Sequence, residues 1–239
     1  MKTLRECFEN FDGRLLGKID HFFEDYEAHL RPFVGTPVNL MEIGVHSGGS
    51  LELWRQYFGK EAIIHGLDID PGAAERAPAD CHVHIGDQGD RDTLQAMVEE
   101  YGPFDLVIDD GSHMMGDQIA SFEVLYPLMS SNGVYICEDS FTSYWREYGG
   151  NASSQITFIE YSKQLIDELH AFWRLDEDIE ATDFTANTRA IHFYSGAVVF
   201  QREAINPPSY VVLNDGKRQQ ISAQALKQAA ARQLKGTGS

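Results

Sequence analysis

The sequence predicts an α/β fold: a seven-stranded, mostly parallel sheet with helices on both faces and a C-terminal β-hairpin. Three observations carry that expectation. Apolar runs at Val38–Ile43, Ala62–Asp68, Cys81–Ile85, Phe104–Asp109 and Val134–Cys137 alternate with stretches of helical periodicity. Such short runs, largely apolar throughout, mark strands buried on both faces, as in a parallel sheet under helices. Two further runs, Arg189–Tyr194 and Ala197–Gln201, flank Ser195-Gly196 and read as an antiparallel hairpin. Finally, the central runs end abruptly in acids, Asp109-Asp110 and Glu138-Asp139, which places those charges at the carboxyl edge of the sheet.

Composition narrows the function classes. A chain of 239 residues can bury one large core. Its formal charge of −18 would repel a phosphate backbone, so nucleic acid is not the expected partner. No apolar run approaches the length of a membrane span. The N-terminal Met1-Lys2-Thr3-Leu4-Arg5-Glu6 lacks the apolar region of a secretory signal, so a cytoplasmic protein is expected. Cys7, Cys81 and Cys137 have no metal-ligand spacing and read as core thiols in a reducing compartment.

The elements follow in order. Leu15, Leu16, Ile19, Phe22, Phe23, Tyr26, Leu30 and Phe33 recur at threes and fours, which predicts one amphipathic helix over residues 13–33, ended near Pro32 and Gly35. The first strand leads into Glu42-Ile43-Gly44-Val45-His46-Ser47-Gly48-Gly49-Ser50. A helix then starts with Ser50 as the expected N-cap. Strand, glycine-rich turn and helix form a nucleotide cradle: glycine permits close approach of a ligand, and the helix N-terminus offers free N–H groups. The spacing is not that of the dinucleotide fingerprint. Asp68 ends the second strand, where an acid accepts from ribose hydroxyls. Asp87 ends the third, where an adenine amino group is commonly read. Phe141–Asn151 is polar, aromatic and glycine-bearing, the composition of an active-site lid. A helix is expected from about Ile156 to Trp173, and a surface helix over Ala223–Leu234 before a frayed tail. One domain is expected over 1–239, with an N-terminal helical segment (1–36), a catalytic core (37–204) and a C-terminal extension (205–239).

Neighbouring strands ending in acids would aim Asp109, Asp110, Glu138 and Asp139 at one crevice, with His113 just past the first turn. Several carboxylates and an imidazole together suit a hard metal with a base beside it. Asp109 is expected to contact the cosubstrate or orient the site. His46 reads as a loop-lining residue, and His65, His82, His84 and His192 as structural.

These features resemble the class I S-adenosylmethionine-dependent methyltransferases, whose fold is Rossmann-like. Glu42-Ile43-Gly44 is similar to their first motif and Asp68 to their ribose acid. More narrowly, LMEIGVHSGGSLELWRQYFG, DLVIDDGSHMMGDQIASFEVLYPLM, the Glu138-Asp139 pair and IHFYSGAVVF resemble the metal-dependent sugar O-methyltransferases of antibiotic biosynthesis, of the mycinamicin type, over about residues 15–202. The resemblance implies Asp110, Glu138 and Asp139 as Mg²⁺ ligands and His113 as the base. It implies Glu42, Gly44, Ser47, Gly48, Ser50, Asp68, Asp87 and Asp109 as the cosubstrate-binding set. It further implies a small-molecule glycoside of a natural product as the acceptor, and it allows a homo-oligomer. The alternatives are methylation of a phenol or catechol on the same fold, and a non-catalytic protein that binds S-adenosylmethionine.

Overall fold

The computed structural model describes residues 2–174 and 181–236. In chain order the elements are α1 (Leu4–Glu9), α2 (Phe22–Leu30), β1 (Asn39–Ile43), α3 (Gly49–Phe58), β2 (Ile63–Asp68), α4 (Ala73–Arg76), β3 (His82–Ile85), α5 (Arg91–Tyr101), β4 (Leu106–Asp109), α6 (Met115–Leu128), β5 (Val134–Cys137), α7 (Phe158–Leu169), α8 (Asp183–Asn187), β6 (Thr188–Phe193), β7 (Val198–Arg202), β8 (Ser209–Asn214), β9 (Lys217–Ser222) and α9 (Ala223–Gly236).

Strands β1 to β7 form one sheet in the order β3-β2-β1-β4-β5-β7-β6. All neighbours are parallel except β7, which runs antiparallel to both β5 and β6. The alternation of runs predicted this seven-stranded, mostly parallel sheet, and it is the class I methyltransferase fold that the resemblance implied. Strand order reverses at β1, between β2 and β4, and the crevice outside the carboxyl ends there is where open α/β sheets bind ligands.

Side-chain parity explains why the runs had to be apolar throughout. Leu40, Leu106, Ile108, Val134 and Ile136 join the core on one face, with Phe22, Tyr26, Trp54 and Phe58. Met41, Ile43, Val107, Tyr135 and Cys137 join the core on the other, with Phe122, Phe158 and Phe200. Successive residues of a strand point to opposite faces. That parity decides below which acids reach the site.

Two stretches depart from the sequence reading. The helix expected over 13–33 forms only from Phe22 to Leu30, followed by a 3-10 turn at Arg31–Phe33. Residues 10–21 instead cross the sheet edge as an irregular strap. Gly13 and Gly17 weaken helix formation there, and the strap's Lys18 makes buried contacts that a helix would forgo. A short helix, α1, precedes it, closed by a capping box between Thr3 and Glu6. At the other end, β8 and β9 form a hairpin that the sequence reading missed. Its two-residue turn is Asp215-Gly216, both at positive φ (48° and 73°), which is the strongest short hairpin signal. The expected surface helix follows as α9. Among the described residues, no helix is long and apolar enough to cross a membrane.

Candidate active site

A cavity of about 550 Å³ opens at the carboxyl ends of β1, β2 and β4. That size suits a nucleoside-bearing ligand. Of the residues expected to bind the cosubstrate, Gly44, Ser47, Ser50, Asp68 and Asp87 line it, together with Gln88 and the strap residues Leu15 to Lys18.

The glycines of the β1–α3 loop serve the protein's own backbone as much as a ligand. Gly44 has φ +93°, and a Cβ there would lie 2.1 Å from the Asp110 carbonyl oxygen. The two strand ends therefore approach as only glycine permits. Gly49, the first residue of α3, admits the strap: its Cβ would fall 2.2 Å from the Leu15 carbonyl oxygen. The N-cap is Gly48, not Ser50. The Ser50 hydroxyl donates instead to Glu42 Oε2 at 2.7 Å. Asp68 fixes the loop: its Oδ2 accepts from the Val45 and His46 amides, both at 2.9 Å, and its Oδ1 from the Asp70 amide at 2.9 Å.

Beside the cavity, acids from three strands meet. Glu42, Asp110 and Glu138 follow Leu40, Ile108 and Ile136 on the same face, and their carboxylates converge within 4.8 Å of one another. Asp110, His113 and Asp139 converge in the same way toward the cavity side. Asp110 belongs to both groups, so the three nominated ligands Asp110, Glu138 and Asp139 are divided between them. The donors are oxygens with one imidazole, a set that suits Mg²⁺ better than a thiol-seeking ion. Glu42 Oε1, fully buried, has no hydrogen-bond partner, an acceptor left open inside the cluster. The residues present fit a divalent cation. Cys137 packs on the opposite face and offers it nothing.

The cluster already contains one cation. Lys18, whose side chain is 2% exposed, places Nζ 2.6 Å from Asp110 Oδ2, 2.6 Å from Glu138 Oε1 and 3.6 Å from Glu42 Oε1. Tyr26 donates its hydroxyl to the same Glu138 oxygen. Burial works to lower the Lys18 pKa, but Asp110, Glu138 and Glu42 overcome it and hold the ammonium well above the usual lysine range. Burial and the nearby Asp110 push the Glu138 carboxyl up to about 8, with Lys18 opposing. Burial raises Glu42 to about 7, again against Lys18. Asp139 is raised by burial and by Asp110. Crowded carboxylates resist ionising together.

His113 sits at φ +57° on the turn after β4, and Asp139 at φ +50° after β5. Left-handed backbone at non-glycine residues costs energy and clusters at functional sites. His113 Nε2 lies 3.6 Å from Asp139 Oδ2 and 4.0 Å from Asp110 Oδ1. The expected lid folds as 3-10 turns, Ser140–Tyr144 and Arg146–Tyr148, above this point. Thr142 Oγ1 donates to the His113 carbonyl at 3.3 Å, and the Tyr148 ring lies 6.1 Å from the imidazole.

Three expected cosubstrate residues lie outside the cavity lining. Glu42 turns into the acid cluster, and Gly48 supports α4, where a Cβ would meet Ala77 Cα at 2.9 Å. Asp109, fully buried, faces the other core: it accepts from Gln88 Nε2 at 3.1 Å and from the Tyr135 hydroxyl at 3.0 Å. Burial lifts its carboxyl to about 7, against those two hydrogen bonds. Of the two roles expected of it, its geometry suits orientation: Gln88 passes the contact on, accepting from the Ser112 amide at 2.6 Å. Lys18, Tyr26 and Gln88 were not foreseen.

Residues 41–140 match the family model of the methyltransferase domain. The chain carries a class I methyltransferase domain. It is 33% identical over 201 residues to L-olivosyl-oleandolide 3-O-methyltransferase of Streptomyces antibioticus, covering 80% of this chain and 52% of that protein. It is also 33% identical over 190 residues to 8-demethyl-8-alpha-L-rhamnosyl tetracenomycin-C 2'-O-methyltransferase of Streptomyces olivaceus, covering 75% and 49%. The crystal structure of MycE methyltransferase from the mycinamycin biosynthetic pathway, in complex with Mg and SAH, superposes with a TM-score of 0.76 at 30% identity over 85% of this chain and 55% of that one. The same enzyme with Mg, SAH and mycinamycin VI gives 0.72 at 29%, with the same coverage. The chain thus spans about half the length of the curated relatives it matches.

Proposed function

We propose that the chain is a Mg²⁺-dependent S-adenosylmethionine O-methyltransferase acting on a sugar hydroxyl of a glycosylated natural product. The observation that carries this is the meeting, at one end of the nucleoside-sized cavity, of an oxygen-donor cluster and His113. The two Streptomyces relatives, O-methyltransferases of an L-olivosyl and an L-rhamnosyl compound, supply the acceptor class.

In this reading Gly44, Ser47 and Asp68 hold the cosubstrate, and Asp87 meets its base. Methyl transfer from a sulfonium is an in-line displacement, so the protein's first task is to hold the acceptor oxygen on the methyl–sulfur axis. Asp110, Glu138 and Asp139 would hold the metal, which would supply Lewis acidity to make the acceptor hydroxyl easier to deprotonate. His113 Nε2 takes the proton, and Asp139 and Asp110 stabilise the imidazolium that results. General-base help of this kind is worth about 10²–10⁴ in rate. Tyr144 and Trp145, about half exposed on the lid, offer flat faces to the apolar side of a sugar or its aglycone.

The test is a panel of deoxysugar glycosides and catechols, incubated with the chain, S-adenosylmethionine and Mg²⁺ and read by mass spectrometry for gain of one CH₂. Methylation of glycosides, lost in chelator, is the expected result. Catechol methylation with no glycoside product would refute the sugar reading and leave the metal site standing.

A further inference from the structure

We propose that Lys18 is the resident counter-cation of the metal site, that a divalent ion displaces it, and that the strap carrying it moves when the metal enters. The inference deepens the reading above and rests on it at one point, that the cluster holds a metal.

The contacts set up a competition. Lysine is almost never fully buried unless it is paired, and Lys18 is paired with the oxygens a metal would need. Its Nζ contacts, at 2.6 Å each, are with Asp110 Oδ2 and Glu138 Oε1, two of the three nominated ligands. Mg²⁺ binds carboxylate oxygens at roughly 2.0–2.1 Å. An ammonium and a dication cannot both sit between the same two oxygens, because unscreened like charges repel strongly at such separations in a buried site. The Glu42 carboxylate points the same way. Its Oε1 is left 3.6 Å from Nζ and without a hydrogen bond, so the ammonium satisfies this cluster incompletely. A smaller, doubly charged ion with a higher coordination number answers the arrangement better.

The strap lacks the regular hydrogen bonding that would fix it as a rigid element. It has no helical or strand hydrogen bonds between α1 and α2, and Gly17 directly precedes Lys18. Leu15 is 74% exposed, and Phe11, Leu16 and Ile19, which pack against the core, are only partly buried. Its polar anchors are at the surface: Arg14 pairs with Glu52 at 3.0 Å and donates from Nε to the Arg76 carbonyl at 2.7 Å, Asp20 pairs with Arg5 at 2.9 Å, and His21 Nε2 lies 2.7 Å from the Ser195 carbonyl oxygen. The same strap forms one wall of the cosubstrate cavity through Leu15, Leu16, Gly17 and Lys18. Exchange of the ammonium for a metal would therefore alter the cosubstrate's wall as well. Any coupling between the two ligands must then be reciprocal.

The test reads Lys18 directly in the intact wild-type chain. Primary amines are acylated with a water-soluble N-hydroxysuccinimide ester and quantified by peptide mass spectrometry. Lys60, whose side chain is 91% exposed, serves as the internal reference. Without divalent metal, Lys18 should react far more slowly than Lys60. Saturating Mg²⁺ should raise its relative rate at least tenfold, while NaCl at matched ionic strength should not. In calorimetry, Lys18→Met should bind Mg²⁺ at least tenfold more tightly than wild type. Mg²⁺ binding to wild type with Lys18 still protected would overturn the displacement and leave the metal site intact. Unmasking by NaCl alone would overturn it as simple screening. No Mg²⁺ binding to wild type or to Lys18→Met would remove the metal reading and this inference together.

Discussion

Gly44→Ala tests whether the approach of β1 to β4 is what assembles the site. Two terms add. The backbone at φ +93° is a conformation that L side chains rarely adopt, which costs about 1–3 kcal/mol. The new Cβ would lie 2.1 Å from the Asp110 carbonyl oxygen and 2.8 Å from its carbon, both backbone atoms that no rotamer change can clear. Relief requires the strand ends to part, yet the Gly44 amide donates to Leu67 O at 2.8 Å and the Asp110 amide to Ile43 O at 2.9 Å. Overpacking of this kind costs about 1–3 kcal/mol more. The total, about 2–6 kcal/mol, is a large part of a typical domain's stability of roughly 5–15 kcal/mol. Gly59→Ala separates the terms, because Gly59 has nearly the same φ, +96°, and nothing within 4 Å of its Cβ position. In urea denaturation followed by circular dichroism, both variants should unfold earlier with unchanged slopes, Gly44→Ala by about 1–3 kcal/mol more than Gly59→Ala. Equal losses would mean that the strand ends are not in tight contact, and the geometry assigned to Asp110 would fall with them.

Asp68→Ala should weaken S-adenosylmethionine binding in chelator by about 1.5–3 kcal/mol, the worth of hydrogen bonds to a charged group, in calorimetry; unchanged affinity would remove its place in the cosubstrate site. His113→Ala should lower kcat by about 10²–10⁴ while cosubstrate affinity holds within a few-fold; a near wild-type kcat would hand the proton to another group. Asp109 gives a pH signature. Its folded carboxyl keeps a proton up to about 7 and an unfolded one loses it near 3.8, so the folded state binds more protons in between. Its contribution to stability is full below about pH 4 and is lost as pH rises toward 7, by at most about 4 kcal/mol at 1.4 kcal/mol per unit. Asp109→Asn should flatten that part of the stability–pH curve in denaturant titrations, and a variant with the wild-type slope would show that another group is responsible.

The sheet was legible because each central strand had to be apolar on both faces, and the acids ending those runs could only lie at the carboxyl edge. Parity separates the acids that adjacency groups together. Counting by twos, Glu42 follows Leu40, Asp110 follows Ile108 and Glu138 follows Ile136, all on the face of Trp54 and Tyr26. Asp109 follows Val107 on the other face. Glu42, inside the first strand, is expected in the cosubstrate-binding set because it adjoins Gly44, and that adjacency hides its place in the acid cluster. The Asp215-Gly216 turn is legible in the sequence as a hairpin signal. Lys18 was not readable in this way. Leu15, Leu16 and Ile19 fall on a helical pattern with Phe22 and Phe23, and local periodicity gives no hint that a buried ammonium contact outweighs three helical turns broken by Gly13 and Gly17.

Two adjacent acids with opposite surroundings explain how one strand end serves both architecture and chemistry. Asp109, fully buried and hydrogen-bonded by Gln88 and Tyr135, is shut off from the cavity, and through Gln88 it reaches the Ser112 amide on the turn that carries His113. Asp110, one residue on, has crossed to the opposite face and is partly open. One of its oxygens faces Lys18, and the other faces His113 at 4.0 Å. A carboxylate placed between a buried ammonium and an imidazole sits where charge introduced on either side is felt on the other. A metal entering in place of Lys18 would therefore act on the same carboxylate that, in the proposed reaction, would steady protonated His113. The proposed cation exchange on the buried side and the proposed proton transfer on the cavity side would meet at Asp110, next to the close approach of Gly44.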